Sequence, residues 1–128
     1  MKVYDNDNKR REFTNYLLSF NEDQFKEIMF GKLIGLTLDR INMYAHPDIN
    51  NYSMKVIIDC IRSGMDVEKI KILANPELKN VGKVTQIRIG FENGLNIEEV
   101  LTYADPKYTV KEMIDMRLKL ISDKEGSI

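Results

Sequence analysis

The chain has 128 residues, 43% hydrophobic and 30% charged, a size and balance that suit one soluble globular domain. Nineteen basic and 20 acidic side chains leave a formal net charge of −1, which speaks against attraction to nucleic acid or an anionic membrane by bulk charge. One cysteine, Cys60, and one histidine, His46, exclude an intrachain disulfide and a Cys/His zinc site, and no run approaches the roughly 18 apolar residues of a membrane span. Met1–Asn8 is polar, with no apolar leader region, so the expected address is the cytoplasm.

Met1–Asn8 reads as a flexible lead-in. Phe13, Tyr16, Leu17 and Phe20 then fall at i, i+3, i+4 and i+7, one stripe of a helix. Lys9, Arg10, Arg11 and Glu12 occupy its other face, as suits an exposed terminal surface. Residues 1–20 are therefore predicted to be a lead-in and a capping helix.

From Asn21 onward the sequence repeats itself. Pro47, Pro76 and Pro106 are spaced by 29 and 30, inside "YAHPDI", "LANPEL" and "YADPKY". Gly35, Gly64 and Gly94 keep the same steps, each followed by a large apolar residue and then by a helix-capping type: Thr37, Asp66 and Asn96. Asn21, Asn50, Asn80 and Thr109 form a further column of N-cap residues, and Gln24 and Glu112 complete capping boxes with the first and last. Matched chemistry at one period is the mark of a repeat architecture.

The third unit shows what each should contain. Asn80 caps a helix whose Val84, Ile87 and Phe91 recur at helical steps, and Gly94 is placed to end it in the left-handed conformation. Asn96, with Glu99 three residues on, caps a second helix carrying Ile97, Val100, Leu101 and Tyr103 before Ala104 and Pro106 stop it. Each unit is thus a helix of about three turns, a glycine turn and a helix of about two turns. Helices this short need their neighbours for stability. The predicted fold is all-α, a short α-solenoid of about four helix–turn–helix repeats (21–49, 50–79, 80–108 and 109–128) behind the capping helix, forming one domain. In the column Gly31, Cys60, Gly90 and Lys119, the three small residues predict close helix contact. Met113, Met116 and Leu120 supply the inward face of the last helix, and Asp123–Ile128 is expected to fray.

The third unit also resembles a tandem repeat of accessory proteins from conjugative elements and phage-like islands of Firmicutes. Ile87-Arg88, Gly90-Phe91, Gly94-Leu95, Asn96-Ile97 and Tyr103-Ala104-Asp105-Pro106 carry the likeness, and Met113 and Met116-Arg117 extend it into the fourth unit. In the first two units Met29 and Ile58 replace the arginine, and Cys60 replaces a glycine. The resemblance implies a mobile-element setting, in which small proteins antagonise host defence, CRISPR nucleases included.

Candidate chemistry is sparse. His46 with Asp48 could form a general-base pair, but Asn75 and Asp105 occupy the matching positions, so a polar helix-end role is expected. Cys60 reads as a small buried hydrophobe rather than a reactive thiol. Arg88 and Arg117 could face a partner or a phosphate, and Arg88 could instead pair with Glu92 four residues on. Tyr44, Tyr52, Tyr103 and Tyr108 fall near unit junctions and are candidate interface residues, since tyrosine combines area with a polar tip. The expectation is a non-enzymatic protein-binding module without cofactor or metal, its partner a protein such as a bacterial defence nuclease. The alternative is a small helix–turn–helix nucleic-acid binder using Lys9, Arg10, Arg11, Lys26, Lys32 and Arg40.

Overall fold

A computed structural model describes residues 3–126, excluding the side chains of residues 3–7 and of Phe13. Eight helices follow in chain order: α1 (Val3–Leu18), α2 (Glu22–Leu33), α3 (Leu38–Tyr44), α4 (Asn51–Arg62), α5 (Val67–Leu73), α6 (Val81–Glu92), α7 (Ile97–Leu101) and α8 (Val110–Gly126). The protein is all-helical, with no strand among the described residues. Longer helices alternate with short ones from α2 onward. The longer ones pack in a row, α2 on α4, α4 on α6 and α6 on α8. Each of α3 and α5 packs on its own long helix and on the next, and α7 packs on α6. The buried core runs along this row through Met54, Ile57, Ile58, Ile70, Val84, Ile87, Val100 and Met113.

The local chemistry that starts and stops each helix is visible bond by bond. Asn21 and Gln24, Asn96 and Glu99, and Thr109 and Glu112 all form reciprocal capping boxes. Asp66 departs from expectation. Its side chain makes no cap bond, and the Lys69 and Ile70 N–H groups donate instead to its main-chain carbonyl. Gly35, Gly64 and Gly94 sit at φ +86°, +84° and +88°. At each, the glycine N–H and the following N–H fold back onto carbonyls of the last helical turn, as in Leu95 N–H to Gly90 O and Gly94 N–H to Phe91 O. The loops repeat too. His46 Nδ1, Asn75 Oδ1 and Asp105 Oδ1 each accept the N–H two residues on, and proline holds the second position of the turn.

Two end regions differ from the sequence expectation. The lead-in is helical from Val3, while Met1 and Lys2 lie outside the described residues. No glycine or proline interrupts residues 3–18, and a nucleated helix continues at one hydrogen bond per residue even through polar sequence. The predicted fraying of Asp123–Ile128 is likewise replaced by helix as far as Gly126, with Ser127 and Ile128 outside the described residues. Lys124 ties this end down, donating to Gly94 O at 2.8 Å and to Glu99 Oε1 at 2.9 Å. The second helix of the third unit is also shorter than expected. It ends at Leu101, and Thr102 and Tyr103 close the turn through i→i−3 bonds to Glu99 O and Val100 O.

The step of 30 rather than 29 between the second and third units has a single cause. Pro47 and Pro106 lie three residues before Asn50 and Thr109, but Pro76 lies four before Asn80. The extra residue is Lys79, and the backbone absorbs it at φ +60°, the one left-handed non-glycine among the described residues. Its ammonium lies 3.7 Å from Asp48 Oδ1, an exposed pair worth little. Lys79→Gly is therefore expected to raise stability by up to about 1 kcal/mol by removing the left-handed penalty, read as a higher urea midpoint at unchanged slope.

The capping carboxylates add a pH dependence. The Asn96 N–H, then Lys124, hold Glu99 below the usual carboxylate range. The backbone N–H of Thr109, then its hydroxyl, does the same for Glu112. A carboxylate depressed on folding stabilises in full above its unfolded value, near ~4.3, and loses that contribution as pH falls through the folded value. Replacing both by glutamine keeps the acceptors and removes the titration. The double variant should lose less stability than the native chain on acidification below about pH 4 in thermal melts.

Candidate docking surface at the N-terminal end

The structure sorts the six candidate residues into different roles. Tyr44 and Tyr103 are each 0% exposed, which corrects their assignment to a partner surface. Their hydroxyls donate across to the long helix of the same unit, Tyr44 to Glu27 O at 2.9 Å and Tyr103 to Gln86 O at 2.8 Å. Burial pushes both phenols up to about 12, so each stays a donor. This explains the column of small residues. The ring tips lie over Gly31 and Gly90, and a Cβ on Gly90 would collide with Tyr103 Oη and come within 3.3 Å of Tyr103 Cζ and Val100 Cγ2. In the second unit the tyrosine is Leu73 and the glycine is Cys60, so the shorter side chain coincides with the larger helix residue. Cys60 is buried, and burial raises its thiol to about 11, leaving it an unreactive space-filler.

The arginines are tied into the row. Arg88 lies between Glu92 on its own helix at 3.4 Å and Asp59 on α4 at 3.9 Å. Arg117 Nε donates to Gln86 Oε1 at 3.1 Å. Both therefore reach back toward the preceding unit. Tyr108 is half-buried under Lys107, and Tyr52 is exposed on α4 beside Lys55. Tyr44 and Tyr103 are thus parts of the packing, and Arg88 and Arg117 are half-buried and bonded to neighbouring side chains. His46 is a turn residue, since its ring nitrogen accepts the Asp48 N–H at 3.0 Å.

A different surface emerges at the first unit. Met29 occupies the column of Ile58, Arg88 and Arg117, the side that reaches back in later units. Phe25 occupies the column of Met54, Val84 and Met113. Met54 and Ile58 are 0% and 1% exposed, whereas Phe25 and Met29 are 41% and 42% exposed. The helix before α2 is α1, and it leaves both of them partly exposed. Helix α1 meets the body through its last turn, where the Tyr16 hydroxyl donates to Ala45 O at 3.0 Å and Tyr16 packs edge-on against Phe20. The result is an open groove of about 500 Å³ between the end of α1, α2 and α3, lined by Tyr16, Phe20, Phe25, Met29, Leu38 and Ile41. Sequence reading missed it because its lining residues, Lys32 and Asn42 apart, have the type of core residues. The available signal was positional, since Phe25 and Met29 lie in columns that pack on the preceding unit, and the first unit is preceded by α1 instead of a repeat unit.

The fold and this surface define an all-helical protein of alternating long and short helices with one apolar end left open. No protein-family model, curated protein or solved structure matches the chain. Among the described residues no helix is long and apolar enough to cross a membrane, and no three His, Cys, Asp or Glu side chains are grouped to hold a metal ion.

Proposed function

We propose that this chain is a non-enzymatic, cytoplasmic protein-binding module, a short α-solenoid whose docking surface is the apolar groove at its N-terminal end. The observation that carries the reading is the exposure of Phe25, Met29 and Leu38 in one groove, at 41%, 42% and 72%. Contiguous apolar surface of this kind is costly in water and is the usual mark of a binding site. A groove walled by helices fits the apolar face of another helix, read as anchors at i, i+3, i+4 and i+7. The narrower proposal, a mobile-element protein that holds a host defence nuclease of CRISPR type, is supported by the resemblance of the third unit.

A tagged pull-down from nuclease-treated bacterial lysate tests both levels. The native chain should retain one stoichiometric protein, and Phe25→Glu with Met29→Glu should lose it while remaining folded. A defence nuclease among the retained proteins supports the narrower proposal. Equal retention by the groove variant removes the groove as the docking surface. An empty column that fills only when nucleic acid is left in the lysate transfers the reading to nucleic-acid binding.

A further inference from the structure

We infer that the loop between the second and third units, residues 75–80, is the labile joint of the row, the first of the three return loops to open while the repeats stay folded. The three loops, 46–50, 75–80 and 105–109, share a proline in the turn and an N-cap residue at the end, so each is a control for the others. Four observations set the second apart.

A tie is missing. In the first unit the buried Gln24 amide donates to Pro47 O and Ile49 O, and in the third Lys83 donates to Pro106 O. The matching residue of the second unit is Ser53, whose side chain is too short for that reach and makes no hydrogen bond to the loop among the described residues. The short side chain also leaves space. Ser53 lines a narrow gap with Ile49, Leu73, Asn75 and Val84 that has no room for water, and such a void deprives its walls of contacts. The extra residue Lys79 sits at φ +60°, a conformation unfavourable for any residue with a Cβ. Its outward contacts are weak, with the ammonium 3.7 Å from Asp48 Oδ1 and the carbonyl 3.5 Å from Asn50 Nδ2. Finally, the start of α6 is displaced. Asn21, Asn50 and Thr109 each accept the N–H three residues on, whereas Asn80, at φ −142°, accepts the Gly82 N–H two residues on. The first helical bond there, Val84 N–H to Asn80 O, is drawn out to 3.3 Å, against 2.9 Å for Met54 to Asn50 and for Met113 to Thr109.

These losses fall on one segment and spare the core. Helices α4 and α5 both pack on α6, and Ile57, Ile58, Ile70 and Ile87 are buried. The loop and the first turn of α6 therefore open locally, and the units on either side stay in place. Opening frees the chain around Lys79 for proteolytic cutting.

Native-state hydrogen exchange of the intact chain, read by NMR and corrected for intrinsic rates, tests this. Leu78 and Ile49 are 2% and 4% exposed and hold matching bonds to Asn75 O and His46 O, so burial alone predicts equal rates. Leu78 and Val84 should instead exchange about tenfold faster than Ile49, Met54 and Met113. Trypsin should cut the native chain after Lys79 sooner than after Lys107 of the third loop, each rate taken relative to the urea-unfolded chain. The two fragments should co-elute on size exclusion. Deleting Lys79 together with Ser53→Gln gives the second loop the length and the donor of the first, and should bring Leu78 and Val84 to the rates of Ile49 and Met54. Lys79→Gly, which keeps the loop length, should slow both amides by a smaller factor and serves if the deletion variant does not fold. Equal exchange in the three loops of the native chain overturns the inference, as does earlier cutting after Lys107 or fragments that part on the column. A folded deletion variant whose Leu78 and Val84 exchange as fast as in the native chain overturns it too.

Discussion

Gly90→Ala should lower the stability of this protein by about 2 kcal/mol, and Gly31→Ala by a similar amount. Two effects oppose each other. Alanine in a helix interior gains up to about 1 kcal/mol over glycine from propensity. Against that, the added Cβ falls on the buried tip of Tyr103, which has no exposed volume into which to swing. The ring must move, and its hydrogen bond to Gln86 O is lost with it. Overpacking of this kind costs about 1–3 kcal/mol, and breaking the hydrogen bond adds about 1 kcal/mol, so the steric effect prevails. For a chain of this size the melting temperature should fall by roughly 6–10 °C. The second unit supplies the control. Gly90→Cys together with Tyr103→Leu reproduces the Cys60–Leu73 pair and should recover much of the loss that Gly90→Cys causes alone. Strictly additive effects in that cycle would refute the steric coupling.

Gln24→Ala should cost about 3 kcal/mol, although it removes a polar residue from the interior. Gln24 is 4% exposed and its amide is fully used. Its oxygen accepts the Asn21 N–H at 2.8 Å, and its nitrogen donates to Pro47 O at 2.8 Å and Ile49 O at 2.7 Å. Alanine leaves the two loop carbonyls without this donor and opens half of the capping box, each loss costing about 1 kcal/mol. Lys83 stands at the same place in the third unit, where its ammonium donates to Pro106 O at 2.7 Å. Gln24→Lys should therefore lose less than Gln24→Ala in urea denaturation. Equal losses would mean that the bond to the proline carbonyl contributes nothing.

Most of the helices, caps and stops were legible in the sequence because they depend on neighbours within four residues; the Asp66 side chain, which makes no cap bond, and the early end of α7 are the exceptions within the repeats. Asn21 with Gln24, Asn96 with Glu99 and the three left-handed glycines act through the backbone next to them, whatever packs outside. The period of 29–30 was legible for the same reason, and so was the burial of Cys60. Polar composition misled at both ends, since it marks exposure and not a helix stop; α1 begins at Val3 and α8 runs to Gly126.

What the sequence by itself determined is thus an all-helical chain of repeated helix pairs. The roles of Tyr44 and Tyr103 were decided by tertiary structure. A tyrosine near a unit junction can point outward or inward, and only the glycine thirteen residues before it, brought close by the turn, turns the ring in. The groove was decided the same way. Phe25 and Met54 are equally apolar and equally placed in their helices, yet one is exposed and the other buried. The difference is the neighbouring helix: α2 packs on α4, whereas α1 reaches the first unit at its last turn, and burial is a property of that neighbour rather than of the residue.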